Sequence, residues 1–373
     1  MYLADLQRCK VGTMLKKLHV QGFRCFANLE LEKTSRVNLI VGRNDTGKTS
    51  LLESIRLLLT GDPRHLRRPT MHRPLGAPYN AESQYLAAFY GGSWDGSEIS
   101  ILGAGNGLNL SCRSRVRELD NDEIVDEDDN EKSDGSESLL KKGLEIVVSV
   151  TAESGSTATI SRPLSRAFGS PERLSRVVTG GDFPAVPALV HLGTNRQEGW
   201  TLPQRYSKLF RKGRSDLVDK VLREIEPRLR SLIILAEENG AGRNAVLEVD
   251  LGLERLLPLG SMGEGFVSAI AVVTAVSEAE GGLCLIDEIE NGIHYSLLAS
   301  IWSAVQRTAE LADCQIWATT HSLDCVSAAH EAFAKSPDSL LVHRLDRSTK
   351  GTCVHTFDYE MLGTALESGL DVR

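Results

Sequence analysis

Gly42-Arg-Asn-Asp-Thr-Gly47-Lys48-Thr49 stands between a short apolar run, Val37-Asn-Leu-Ile-Val41, and a stretch where Leu51, Leu52, Ile55, Leu58 and Leu59 recur at helical spacing. It fits the pattern GxxxxGK[ST] without a mismatch. The apolar run reads as a strand covered on both faces, and Gly61 before Pro63 ends the helix. A buried strand, a glycine turn and a helix in immediate succession commit the chain to an α/β fold. Glycines let the backbone curl so that its N–H groups point at phosphate oxygens, and the helix N-terminus adds a favourable dipole. Lys48 is then placed for the β- and γ-phosphates and the Thr49 hydroxyl for Mg2+. Gly42, Asn44, Asp45, Thr46, Gly47, Lys48, Thr49 and Ser50 are the candidate nucleotide-binding residues.

Such a loop needs an acidic metal partner at the end of another buried strand. Leu283-Cys-Leu-Ile-Asp287-Glu288 supplies one: Asp287 for the Mg2+ shell and Glu288 to orient and deprotonate the attacking water. Glu290 is the rival for the base role. Trp317-Ala-Thr-Thr-His321-Ser322 ends a further strand, where a neutral His321 would donate a hydrogen bond to a γ-phosphate. Leu257-Pro-Leu-Gly-Ser261-Met-Gly263-Glu264-Gly265 opens a helix with small residues, a second anion site. One chain already has its phosphate loop, so Ser261 and Gly263 suit the nucleotide of another copy.

Lys plus Arg is 42 and Asp plus Glu is 50, a formal net charge of -8. Eleven acidic side chains and one Lys between Glu118 and Ser138 carry -10 of it, so the remainder is near neutral. No run of 18 apolar residues predicts a membrane span, and the first 20 residues lack the apolar centre of a signal peptide. Seven scattered Cys without a CxxC pair fit a reduced, cytoplasmic setting better than a disulfide frame or zinc site.

Residues 1–13 read as a leader without pattern, and 14–373 as one domain. Its core is split between 14–61 and 246–373. An inserted antiparallel β region covers 90–195, with an acidic loop at 119–139 too charged to order, and a helical lobe covers 196–245. Within that lobe 203–238 reads as helical and basic, from Arg205 to Arg230. The basic segments 62–73 and 203–230 are the candidates for DNA contact, the alternative being solvated faces. The rest alternates: helix 264–279, strand 282–287, helix 295–311, strand 314–319, helix 322–334, strand 339–345.

The order of these motifs resembles the ABC-type ATPase superfamily. The opening Leu15-Lys-Lys-Leu-His-Val-Gln-Gly-Phe-Arg-Cys-Phe26 is similar to its soluble, DNA-linked branch, which includes RecF and the overcoming-lysogenization-defect (OLD) ATPases. Asp287-Glu-Ile-Glu-Asn-Gly-Ile-His294, Ala318-Thr-Thr-His-Ser322 and the terminal Glu367-Ser-Gly-Leu-Asp-Val-Arg373 look like the OLD-like AAA ATPases of bacterial anti-phage systems. That resemblance implies an ABC-type head with a mixed β core, an antiparallel β subdomain and a helical lobe. It implies ATP and Mg2+ as cofactors, Asp287 on the metal, Glu288 as base and His321 as switch. Ser261 and Gly263 would act in trans across a head-to-tail homodimer, or a higher oligomer built on it, with Arg24 bracing the phosphate region. Gln197 is the candidate link between core and helical lobe.

The departures narrow this picture. Met262 and Glu264 stand where full signatures read Gly and Gln, which weakens a transporter reading. Lys48 and Ser261 lie 213 positions apart, too few for the long arms of chromosome-maintenance ATPases. With 52 residues after His321, mostly one helix and a strand, a TOPRIM-type nuclease is expected as a separate effector subunit.

Overall fold

In the computed structural model the run at 37–41 becomes a strand buried on both faces, β3 (Val37–Val41). The structure describes residues 14–61, 98–105, 107–118, 142–152, 157–163, 177–180, 188–193, 201–239, 242–348 and 351–373. Two neighbours hydrogen-bond to β3 in parallel: β14 (Gln315–Thr319) and β15 (Leu340–Ser348). Beyond β14 lie β13 (Leu283–Ile286) and β9 (Leu189–Leu192), also parallel. β16 (Gly351–Phe357) closes the other edge antiparallel, giving the order β16-β15-β3-β14-β13-β9. β3, β14 and β13 are adjacent and parallel, so the loops leaving them emerge side by side.

The alternation of side chains across this sheet sorts the core into two clusters. Leu39, Cys284, Ile286, Ile316 and Ala318 face α4 (Glu264–Glu278) and α5 (Leu298–Leu311). Ile40, Leu283, Leu285 and Trp317 face α1 (Lys48–Thr60). The opposite side of α1 packs on a seven-stranded antiparallel sheet, order β2-β1-β4-β5-β6-β7-β8, through Leu18, Val20, Ile101, Leu110 and Val148. Its strands are β1 (Lys17–Phe23), β2 (Phe26–Leu31), β4 (Ser100–Gly105), β5 (Leu108–Glu118), β6 (Lys142–Ala152), β7 (Thr157–Pro163) and β8 (Val177–Gly180). α1 is thus the middle layer between two sheets, which explains why it is apolar over much of its circumference. Gly61 ends it in the left-handed conformation at φ 58.

The α/β class with mixed and antiparallel sheets agrees with the expectation from sequence, and the chain changes layers in ways the motif order does not show. β1 and β2, within 14–61, belong to the antiparallel sheet. β9, within 90–195, is an edge strand of the core. A network of buried amides joins the two: Gln315 accepts from the Leu15 N–H at 2.9 Å and donates to the carbonyls of Leu15 and Ser35 at 3.0 and 2.9 Å.

The helical reading of 203–238 needs correction. Helix covers only α2 (Thr201–Arg211) and α3 (Ser215–Leu222), separated by Gly213 at φ +67. From Ser231 the chain is extended: β10 (Ser231–Asn239) pairs in full antiparallel register with β11 (Gly242–Asp250), and β11 with β12 (Leu257–Pro258). Leu232-Ile-Ile-Leu235 is ambiguous by periodicity, and the partner strand decides it. Past β14 the chain holds α6 (Leu323–Ala332), β15, β16 and α7 (Tyr359–Glu367), a strand and a helix more than the sequence reading assigned. The leader 1–13, the Arg-rich segment 62–73, the acidic loop 119–139 and Gln197 lie outside the described residues.

Candidate functional site

The loop after β3 is shaped by its glycines. Gly42 sits at φ +152, where a Cβ would meet the Leu345 carbonyl oxygen at 2.7 Å and the Thr46 hydroxyl at 2.6 Å. Gly47 caps α1 at φ +104, and a Cβ there would run into the Cys25 Sγ and the Phe26 ring. Neither position admits another residue without displacing backbone or a packed ring. Gly47 also brings no side chain to satisfy the first amides of α1, so these donors are available to an anion. Lys48 folds back over the loop, Nζ donating to the carbonyls of Gly42 and Arg43 at 2.7 and 2.9 Å. Burial lowers the Lys48 pKa, opposed by Glu288, Asp287, Glu290 and Asp45. Asn44 and Asp45 are exposed at the loop tip, and Thr46 is buried with its hydroxyl on the Arg43 carbonyl at 2.9 Å.

The parallel strands deliver the remaining groups to the same edge. The Thr49 hydroxyl donates to the Asp287 carboxylate at 3.1 Å across 238 residues of sequence. Asp287 also accepts from the Thr319 hydroxyl at 2.6 Å, and that hydroxyl accepts the Glu288 N–H at 2.8 Å. A hydroxyl and a carboxylate side by side at the start of α1 are hard oxygen donors that suit Mg2+, which takes most of its shell from phosphate and water. Among the described residues no cluster of three or more His, Cys, Asp or Glu could hold a metal ion.

Glu288 has φ +48, a left-handed conformation unusual for a branchless acidic side chain, and its carboxylate is 41% exposed. His321 is 54% exposed, with Nδ1 4.0 Å from Glu288 and 3.1 Å from Glu290. The structure therefore assembles Lys48, Thr49, Asp287, Glu288 and His321. Ser261 and Gly263 stand apart. Ser261 ends a 3-10 turn and Gly263 caps α4. No hydrogen bond among the described residues joins either to the 42–50 loop, and a Cβ on Gly260 or Gly263 would touch nothing within 4 Å.

Three functional neighbours were not singled out in the sequence reading: Thr319, Glu53 and the grip of Glu290 on His321. Thr319 carried a faint signal, as a hydroxyl beside Thr320 at a strand end. Glu53 had none, since it falls on the helix stripe. Arg24, in the left-handed β1–β2 turn at φ 54, forms an ion pair with Glu53 and lies 3.4 Å from the Ser50 hydroxyl. Burial pushes the Glu53 carboxyl up to about 7, Arg24 pulling the other way. Because the folded state holds this proton above the ordinary carboxylate range, its contribution is complete below about pH 4.5 and is lost as pH rises through 7. Stability is thus expected to fall by on the order of 3 kcal/mol between about pH 5 and 8 through Glu53 alone. Urea denaturation should show Glu53→Gln flattening that decline; parallel declines in wild type and variant would contradict it.

Four of the nine basic side chains of 203–230 form ion pairs. Arg205 and Lys208 pair with Glu278 at 2.7 and 3.0 Å, Arg214 with Glu280 at 2.5 Å, and Arg228 with Glu226 at 2.9 Å. Arg211, Lys212 and Lys220 are exposed. Among the described residues no helix is long and apolar enough to cross a membrane, and no disulfide joins the described cysteines.

Comparison with known proteins places these features in a family. Residues 17–177 match a family described as "AAA domain". The chain is 43% identical over 65 residues to the DNA replication and repair protein RecF of Thioalkalivibrio sulfidiphilus, 17% of each chain. It is 30% identical over 108 residues to the DNA double-strand break repair Rad50 ATPase of Archaeoglobus fulgidus, 29% of this chain and 11% of that one. The matches thus span less than a fifth of either relative. Among solved structures it is similar to an Smc head bound to the C-winged helix domain of ScpA, at 12% identity and TM-score 0.48, covering 95% of this chain and 99% of that one. The SMC head domain from Thermotoga maritima gives 13% identity and TM-score 0.43, covering 92% and 99%. Residues 113–326, more than half of the chain and including Asp287, Glu288 and His321, match the family described as "AAA domain, putative AbiEii toxin, Type IV TA system", and the chain belongs to that AAA domain family.

Proposed function

We propose that this chain binds and hydrolyses ATP as a head-to-tail homodimer and uses the cycle to gate a separate effector, in the manner of the OLD-like ATPases of anti-phage defence. The observation that carries the proposal is the chain of contacts Thr49–Asp287–Thr319–Glu288, which sets a metal-binding pair beside a half-exposed base. Thr49 and Asp287 would hold Mg2+, which when bound neutralises charge between the β- and γ-phosphates. The loop amides and Lys48 hold the nucleotide, and Glu288 takes the proton of the attacking water. Ser261 and Gly263 are exposed and complete the site of a second copy. A TOPRIM-type nuclease is the proposed effector, and the cytoplasm the setting. The toxin–antitoxin description of the matched family supports an effector-linked role.

A second possibility, a RecF-like ATPase acting on DNA, has support in the RecF and Rad50 matches. Duplex contact through 203–230 is weakened by the ion pairs of Arg205, Lys208 and Arg214. If the site needs two copies, phosphate release per chain must rise with chain concentration before levelling off. Release assays over a dilution series should show that rise. Turnover per chain that stays constant on dilution would contradict a shared site, and no release at any concentration would contradict hydrolysis.

A further inference from the structure

Thr319 is the last residue of β14 and is fully buried. β13 and β14 run in parallel with Ile286 opposite Ala318, so the next residues, Asp287 and Thr319, come out side by side. The Thr319 Oγ1 lies 2.6 Å from Asp287 Oδ1 and 2.8 Å from the Glu288 backbone nitrogen. Its carbonyl oxygen accepts the Ile289 N–H at 3.0 Å. On its other side Thr319 pairs with Ile40 of β3, and the Thr320 N–H bonds to the Ile40 carbonyl at 3.0 Å. The side chain is therefore anchored to the strand that carries the phosphate loop.

The direction of each bond follows from the atoms. A hydroxyl has one hydrogen and two lone pairs, and a backbone N–H can only donate. Oγ1 thus accepts from Glu288, and its single hydrogen goes to Asp287, a bond strengthened by the carboxylate charge. With Oδ1 engaged there, Oδ2 is the oxygen turned to the Thr49 hydroxyl, 3.1 Å away. At Glu288 the same oxygen holds a backbone at φ +48, a conformation that costs energy in any residue but glycine. Valine would match threonine in shape and supply neither bond, whereas serine would supply both.

We propose that Thr319 is a positioning residue that couples the metal ligand to the base, one oxygen atom setting both the Asp287 carboxylate and the backbone from which Glu288 projects. A displacement of either residue is passed to the other through that atom. The effect on turnover rests on the proposed ATPase function; the hold on the Glu288 backbone does not.

The test compares Thr319→Val with Thr319→Ser in the full chain. In amide hydrogen exchange without nucleotide, read by mass spectrometry, the Glu288 amide should exchange at least about 10-fold faster in Thr319→Val. Thr319→Ser should stay within about 3-fold of wild type. In phosphate release, Thr319→Val should lower kcat by about 10–100-fold and raise the Mg2+ concentration for half-maximal rate, with the KM for ATP within about 3-fold. Thr319→Ser should recover most of the loss, and Thr319→Ala, which also lacks the hydroxyl, should behave like Thr319→Val. Wild-type exchange at Glu288 in Thr319→Val overturns the proposal, as does an unchanged kcat or a Thr319→Ser as impaired as Thr319→Val. If wild type releases no phosphate, the ATPase reading fails, and the exchange comparison still decides whether Thr319 holds the Glu288 backbone.

Discussion

Glu288→Gln is expected to slow phosphate release by at least about 100-fold while leaving ATP binding intact, which corresponds to about 2.7 kcal/mol of barrier. The substitution changes one atom and keeps the shape. The backbone of Glu288 is held at φ +48 by its N–H on the Thr319 hydroxyl at 2.8 Å and by the Ile289 N–H on the Thr319 carbonyl at 3.0 Å. None of these contacts involves the carboxylate, so the amide inherits the position. Asp287 is untouched and the metal pair remains. What is lost is the ability to accept a proton from water. Glu290 cannot substitute, because it is nearly buried and already bound to His321. With hydrolysis blocked, ATP stays at the interface and the dimer should accumulate, visible by light scattering only when ATP and Mg2+ are present. Turnover near wild type would move the base role elsewhere.

Lys48→Ala is expected to weaken ATP binding by about 100-fold, near 2.7 kcal/mol. Lys48 is the cation facing Glu288, Asp287, Glu290 and Asp45. Without it, the β- and γ-phosphates would enter a site with four carboxylates and one compensating charge fewer. The fold should persist, since among the described residues the ammonium hydrogen-bonds only to the carbonyls of Gly42 and Arg43. Calorimetric titration with ATP checks this, and an affinity within about 3-fold of wild type would contradict the role of the loop.

The residues that backbone geometry demands were legible in the sequence. Gly42 and Gly47 are glycines because a Cβ has no room, and the runs before Gly42 and Asp287 are apolar without strict alternation because both faces of the core sheet are covered. What escaped reading depends on contacts between distant segments. Thr319 matters because β14 lies beside β13 in parallel register. Glu290 matters because the turn after β13 reaches the His321 backbone. Glu53 looked like any polar helix position until β1 and β2 brought Arg24 over it. Likewise Ser231–Asn239 is a strand only because β11 pairs with it.

The central claim, that each ATP site needs Lys48 from one copy and Ser261 from another, is tested most directly by mixing two inactive variants. Lys48→Ala removes the loop cation, and Ser261→Arg places a bulky side chain where the turn before α4 would meet the other copy's nucleotide. Each alone should be inactive. In a mixed head-to-tail dimer one site carries both defects and the other neither, so an equimolar mixture should regain about a quarter of wild-type turnover. A mixture no more active than its separate components, or full activity in Ser261→Arg alone, would contradict a site shared between two chains.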